Sequence, residues 1–232
     1  FTLHKGDSEI SLNGKWKFRW TKTPDERILN FYSPQYDCSD WKDIDVPANW
    51  EVNGYGTPIY ISSGYPFKID PPYVMKEPKH NWTTFSERNP TGQYRRSFII
   101  SDNSLSTRRY YIRFDGVQSA FYLWINGHKV GYSQGSMEPS EFDITSYVKK
   151  GVNDISVEVY KYSDASYLED QDFWRFGGIQ RSVTVFSTPN VQLRDYAVRT
   201  VAVDSVFKKF ELQINPKMRA FNNETGAGYK VK

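Results

Sequence analysis

Apolar and polar residues alternate along much of this chain at the two-residue period of β-strands. In residues 154–160, Ser156 and Glu158 point away from a face formed by three β-branched residues. Residues 120–125 are apolar on both faces, as in a strand enclosed between two layers. These patterns predict an all-β protein.

Asn126 and Gly127 follow the second of these strands directly, and residues 129–132 resume the strand pattern. Both residues accept the positive φ angles of a type I′ turn, so a tight hairpin is predicted here. Further strands are expected at residues 15–20, 93–100, 109–114 and 182–186. Helix is sparse, with a turn or two expected at residues 25–31 and another at 145–149. The regular spacing of strands and turns indicates a sandwich or jelly roll.

The segment 46–90 holds seven of the chain's 12 prolines and shows little alternation. Proline donates no ladder hydrogen bond, so a central strand through this segment is excluded. Loops of this length in a compact domain are usually functional or cover a neighbouring surface.

A domain boundary is predicted near residue 189, which divides the chain into 1–189 and 190–232. Beyond it, residues 192–200 and 207–214 are expected to form two strands joined by a turn around Asp204. Two strands cannot make an independent core. We therefore expect residues 190–232 to be the first part of a second, truncated β domain.

Composition narrows the possible functions. Aromatic residues make up 17% of the 232 residues, and the net charge is only +3. Lysine and arginine are scattered, which argues against a nucleic-acid partner. No apolar run approaches the ~20 residues of a membrane span. Cys38 is the single cysteine, which excludes an internal disulfide and leaves the redox compartment open.

The most informative stretch is residues 166–179, in which Glu169, Asp170 and Asp172 are followed at once by Phe173, Trp174 and Arg175. Carboxylates accept hydrogen bonds from hydroxyls, and a flat ring covers the apolar face of a pyranose, so the stretch suits a sugar site. The same acids suit a cation. A purely structural loop, with its acids paired to Arg175, is the third interpretation.

Several fragments then resemble, in order, the N-terminal sugar-binding domain of family 2 glycoside hydrolases, above all the large bacterial β-galactosidases. They lie at residues 11–18, 46–50, 58–60, 65–66, 71–72, 89–94, 114–121, 124–127, 130–132, 139–143 and 167–179. Each fragment alone is weak, but the ordered set is specific, and Tyr-Leu-Glu-Asp-Gln-Asp at 167–172 is especially characteristic.

The resemblance implies a galactose-binding-like jelly roll packed against a catalytic (β/α)8 barrel, followed by an immunoglobulin-like β domain. The retaining glutamate pair would lie on that barrel, outside this chain. Asp172 matches the family aspartate that contacts the galactosyl unit and a sodium ion. No cofactor is expected on this chain itself, and magnesium would bind elsewhere in the complete enzyme. The parent enzyme would be soluble and bacterial; the sequence leaves open whether it is cytoplasmic or periplasmic and whether it is a homo-oligomer.

Two features depart from the family pattern. Ser62 stands where these β-galactosidases usually carry an asparagine that also touches galactose, and a hydroxyl reaches less far than an amide. The segment around residues 76–88, with His80, Trp82 and Phe85, is longer than usual and would reshape the entrance to the site.

Two other functions remain open on the sequence. One is a stand-alone carbohydrate-binding module, and the other is a ligand-free interaction domain with the proline-rich loops as its docking surface. A self-contained glycosidase pair formed by Glu169 and Asp172 is disfavoured, because both lie on one local loop.

Overall fold

The computed structural model describes residues 9–101 and 104–222 and consists of antiparallel strands with short 3-10 turns. The strands are β1 (Glu9–Ser11), β2 (Gly14–Thr21), β3 (Lys42–Val46), β4 (Ile59–Ile61), β5 (Thr91–Ile100), β6 (Arg108–Phe114), β7 (Val117–Gln118), β8 (Ala120–Ile125), β9 (His128–Gln134), β10 (Ser140–Asp143), β11 (Gly151–Tyr160), β12 (Phe173–Arg175), β13 (Gly178–Ile179), β14 (Val183–Pro189), β15 (Val191–Ala202) and β16 (Phe210–Ala220).

Two sheets form a sandwich. One has the order β1-β14-β6-β10 and the other the order β3-β2-β5-β11-β8-β9. Their facing sides meet in one apolar cluster that includes Trp16, Phe18, Trp50, Phe114 and Leu123, all nearly inaccessible to solvent. The predicted all-β sandwich is confirmed.

Strand alternation correctly predicted β11. It did not predict that the polar face of this strand, with Ser156 and Glu158, is covered by another part of the chain. Ser156 and Glu158 are as buried as their apolar neighbours. Glu158 accepts hydrogen bonds from Gln93 Nε2 at 2.8 Å and from Tyr160 Oη at 2.5 Å. The loop between β2 and β3 covers this face, and its Ile28 exchanges backbone hydrogen bonds with the Gln93 amide.

The hairpin at Asn126 and Gly127 is present, with φ angles of 50° and 83°. The expected helical turns at residues 25–31 shrink to a 3-10 turn at Pro24–Glu26. Phe31 instead packs beside Trp41 and Trp124, and the segment around it is a series of turns rather than a helix.

The second predicted strand beyond the boundary was misplaced. β16 spans Phe210–Ala220 and runs through Pro216 rather than ending before it. Proline is tolerated because, within the described residues, β16 pairs with β15 alone and its other edge needs no donor. An immunoglobulin-like identity for this hairpin stays a prediction. Among the described residues, no helix has the length and apolar character to cross a bilayer.

Candidate functional site

Residues 166–179, which we call the acid-rich stretch, contain β12, one strand of a small two-stranded ribbon. β12 pairs antiparallel with β4, with Trp174 opposite Tyr60 and Phe173 opposite Ile61. Because side chains alternate along a strand, the ribbon has two distinct faces. Ile61, Phe173 and Arg175 are wholly or partly shielded on the inner face.

The outer face carries Tyr60, Ser62, Asp172 and Trp174, all of them exposed. Extending the ribbon register by one residue places Ser62 opposite Asp172. We call these four residues the site face. It combines a carboxylate and a hydroxyl with two aromatic rings that are 53% (Tyr60) and 49% (Trp174) exposed.

Asp172 is oriented by a neighbour on the site face. Tyr60 Oη donates a hydrogen bond to Asp172 Oδ1 at 2.5 Å, and this bond raises the pKa of the Tyr60 phenol. The Tyr60 and Trp174 ring centroids lie 5.7 Å apart, and Trp174 stacks on Phe176 at an interplanar angle of 14°. The result is an aromatic surface beside a positioned carboxylate.

The other two acids of the stretch face protein groups. Glu169 accepts hydrogen bonds from the backbone N and the hydroxyl of Ser136, at 2.7 and 2.6 Å. Asp170 accepts from Gly64 N and pairs with Arg175, both at 3.2 Å. The expected pairing of Asp170 with Arg175 is therefore present, whereas Arg175 meets Glu169 only at its backbone carbonyl, at 2.9 Å.

A buried ion pair lies beneath the ribbon. Lys161 Nζ is 2.6 Å from Glu51 Oε1, and their side chains are 1% and 0% exposed. Glu51 also accepts from Gly177 N at 3.0 Å, and Lys161 donates to the carbonyl of Thr57 at 3.2 Å. Burial raises the pKa of Glu51, and the Lys161 charge opposes that rise. The ion pair thus links Thr57, which precedes β4, to Gly177, which follows β12. We call Glu51, Lys161, Thr57 and Gly177 the ribbon base.

Gly177 has to be glycine for steric reasons. A Cβ at this position would lie 2.1 Å from the Trp50 ring, which is itself fully buried. The chain after β12 can therefore pass directly over Trp50 only without a side chain.

The cavity below the acid-rich stretch is small. It measures about 20 Å³ and is bordered by Phe67, Lys161, Glu169 and Arg175. That volume holds a water molecule and excludes a sugar. A sugar that meets Asp172 has to lie on the open site face.

Metal ligands are not gathered here. Within residues 9–101 and 104–222, no group of three or more His, Cys, Asp or Glu side chains has the spacing to hold an ion. Asp172 can supply one carboxylate ligand to a cation such as sodium, and the other ligands would have to be backbone, hydroxyl or external oxygens.

Both residues predicted from sequence for substrate contact, Asp172 and Ser62, thus lie together on the site face. Tyr60 was not predicted, although it lies two residues before Ser62 and strand alternation places it on the same face. The ribbon base was also missed, because no local pattern connects Glu51 with Lys161.

The chain is similar to several bacterial β-galactosidases. It is 43% identical over 209 residues to that of Priestia megaterium and 40% identical over 216 residues to that of Vibrio cholerae, matches that cover 88% and 93% of the chain. It is also 40% identical to the β-galactosidase large subunit of Leuconostoc lactis. The chain spans 19%, 20% and 34% of the lengths of these three relatives.

Solved structures share the fold at low identity. A β-glucuronidase of an uncultured Clostridium superposes with a TM-score of 0.67 at 20% identity, over 94% of this chain and 35% of that one. A β-glycosidase from Bacteroides vulgatus gives 0.65 at 19% identity, over 94% and 25%.

The match to a known family is direct. Residues 10–189 fit the family described as glycosyl hydrolases family 2, sugar binding domain. That span includes both sheets of the sandwich, the ribbon and the whole site face. The chain belongs to glycosyl hydrolase family 2, as its N-terminal sugar-binding domain.

Proposed function

We propose that this chain is the N-terminal, non-catalytic part of a β-galactosidase-like retaining hydrolase and forms one wall of its active site. The observation that carries the proposal is the site face, where an oriented carboxylate stands beside exposed aromatic rings. The names of the relatives support the choice of β-galactosides as the substrate class.

Asp172 and Ser62 are the proposed substrate-binding residues. The Asp172 carboxylate accepts hydrogen bonds from galactosyl hydroxyls, with Tyr60 fixing its rotamer. Trp174 offers a ring to the apolar side of the pyranose. A fixed negative charge near the sugar favours the oxocarbenium-like transition state over the neutral ground state.

The two carboxyls of the retaining reaction lie, in this proposal, on a catalytic barrel outside the described residues. Such a pair needs carboxyl groups about 5–5.5 Å apart and facing the glycosidic bond. Glu169 and Asp170 suit that role poorly, since Ser136 binds the Glu169 carboxylate, and Gly64 and Arg175 bind that of Asp170.

Asp172 also fits one position of a sodium site that the substrate shares. Sodium prefers oxygen ligands, and substrate hydroxyls together with groups of the barrel would complete the shell. The magnesium implied for the complete enzyme belongs to that part of the protein, and neither ion performs a chemical step on the residues of this chain.

The direct test is turnover of a chromogenic β-galactoside by the 232-residue chain alone. The proposal expects none, because the chain supplies a wall and no acid/base pair. Clear turnover that disappears in Glu169→Gln or Asp172→Asn would overturn it, since the acid-rich stretch would then itself be catalytic.

The stand-alone binding module is the second candidate, and the exposure of the site face favours it over a ligand-free domain. NMR titration of the chain with galactose, followed at the signals of the site face, separates it from our proposal. A module saturates at low millimolar sugar, whereas a single wall of a shared site binds a lone galactose only weakly.

A further inference from the structure

A second concave surface lies beside the acid-rich stretch. The segment after β4 and the long segment 76–88 border an open surface cleft of about 370 Å³. Its walls are mainly apolar and include Tyr65, Phe67, Ile69, Pro78 and Trp82. The volume falls in the range of ligand clefts, about 300–1,000 Å³.

The chemistry of the cleft suits a neutral sugar. Trp82 is 37% exposed, and Lys79 Nζ lies over its ring at 5.9 Å from the centroid, so a pyranose would stack on the exposed part of the ring beside this ammonium group. Lys68, Glu77 and Lys79 also line the cleft and supply both donors and an acceptor for hydroxyls. The charged residues beside the apolar walls disfavour a lipid tail.

The walls of the cleft are anchored from below. Thr84, which is 3% exposed, donates a hydrogen bond to the carbonyl of Pro66 and so ties segment 76–88 to the opposite wall. Trp82 N donates to the carbonyl of Lys79 at 2.9 Å, and Phe85 N donates to that of Trp82 at 3.0 Å. The position of the Trp82 backbone is therefore set before any ligand arrives.

The cleft shares a wall with the acid-rich stretch. Tyr65 Oη donates to the carbonyl of Tyr167 at 2.7 Å, and Phe67 packs on the Tyr167 ring at a centroid distance of 5.4 Å. Tyr167 Oη in turn donates to the carbonyl of Tyr73 at 2.7 Å. Tyr167, in the stretch that leads to Asp172, thus also supports the cleft.

We propose that this cleft binds one further pyranose unit of an oligosaccharide, separate from the unit on the site face. The choice of a galactose-based oligosaccharide rests on the proposed function, whereas the cleft itself rests on Trp82 and its anchored surroundings. Segment 76–88 then acts as a specificity element that favours extended substrates over single sugars.

The test is NMR titration of the 232-residue chain with β-1,4-linked galactotetraose and, separately, with galactose. The tetraose should bind at least about ten-fold more tightly than galactose, and Trp82→Ala should weaken tetraose binding about five- to ten-fold. Trp82→Phe, which keeps an aromatic ring, should weaken tetraose binding less than Trp82→Ala does. Tyr132→Ala removes an aromatic ring of similar exposure (42%) on β9 and should leave binding unchanged.

Absence of tetraose binding to the unsubstituted chain, or equal affinity in Trp82→Ala, would overturn the cleft as a sugar site. Those outcomes differ from failure of the proposed function, which would appear as full hydrolysis by the complete protein carrying Asp172→Asn. Tetraose binding lost in Trp82→Ala alongside such full activity would uphold the cleft and reject the role of Asp172.

Discussion

The ribbon base and the site face place carboxylates in opposite surroundings on two sides of the same pair of strands. Glu51 is 0% exposed at its side chain and paired with Lys161, whereas Asp172 is exposed and held by Tyr60. A buried charge needs its partner for the fold to persist. An exposed one adds little to stability, so substituting it should test the proposed sugar contact with little disturbance of the fold.

The largest expected change in the free energy of unfolding is at the buried Glu51–Lys161 pair. Lys161→Met leaves the Glu51 carboxylate without its counter-ion and should lower the free energy of unfolding by about 3–5 kcal/mol. Urea titration measures the change. Lys15→Met removes a surface partner of Asp45, with both side chains more than half exposed, and should change it by no more than about 1 kcal/mol.

If Lys161→Met has no larger effect than Lys15→Met, the ribbon base is not a stabilising element. The double variant Glu51→Leu, Lys161→Met should recover part of the loss, because no unpaired charge remains in the interior.

Buried tyrosines near the ribbon base predict alkaline sensitivity. Burial raises the pKa of Tyr94 and Tyr162 well above the usual value. The contribution of these two tyrosines to the free energy of unfolding is complete below pH ~10. It is lost progressively above that pH, because the unfolded chain then releases the phenol protons while the folded chain keeps them. Stability should fall by about 1.4 kcal/mol per pH unit for each tyrosine.

Urea titrations at pH values from 8 to about 11.5 measure this slope, since ordinary tyrosines ionise near pH 10. Tyr94→Phe should make the fall in unfolding free energy with pH less steep, by the contribution of one tyrosine. An unchanged slope in that variant would show that Tyr94 is not protected from ionisation by the fold.

A smaller effect on the free energy of unfolding is expected at the hydrogen bond between Ser136 and Glu169 of the acid-rich stretch. Ser136→Ala deprives Glu169 of a 2.6 Å hydrogen bond in a partly buried setting and should cost about 1–2 kcal/mol of unfolding free energy. Ser33→Ala, which removes a surface hydrogen bond to Gln35, is the matched control and should stay within about 0.5 kcal/mol. Equal losses would contradict a structural role for Glu169.

The smallest stability effect belongs to the site face. Asp172→Asn keeps an oxygen acceptor for Tyr60 and removes an exposed charge, so the unfolding free energy should change by less than about 0.5 kcal/mol. A loss above about 2 kcal/mol, measured by the same titration, would assign Asp172 a structural role like that of Glu51.

Sequence reasoning reached what local patterns encode. The strand period predicted β11, and the Asn126-Gly127 pair predicted the hairpin, because backbone geometry there depends on a few adjacent residues. Asp172 and Ser62 were identified through the ordered family fragments. Their placement at the same end of the β4–β12 ribbon needed the structure.

What escaped prediction depends on contacts between distant residues. Tyr60 and Asp172 lie 112 positions apart, and no spacing rule joins them. Strand alternation placed Ser156 and Glu158 on the polar face of β11, yet the loop between β2 and β3 covers that face and both residues are buried. Tertiary burial overrides the expectation that polar positions face water.

The most direct test of the central claim is kcat/KM of the complete protein for a chromogenic β-galactoside, with and without Asp172→Asn. A transition-state contact by Asp172 predicts a fall of at least about 100-fold. The urea midpoint should remain unchanged. Full activity in the Asp172→Asn protein would contradict the assignment of the site face to the galactosyl unit.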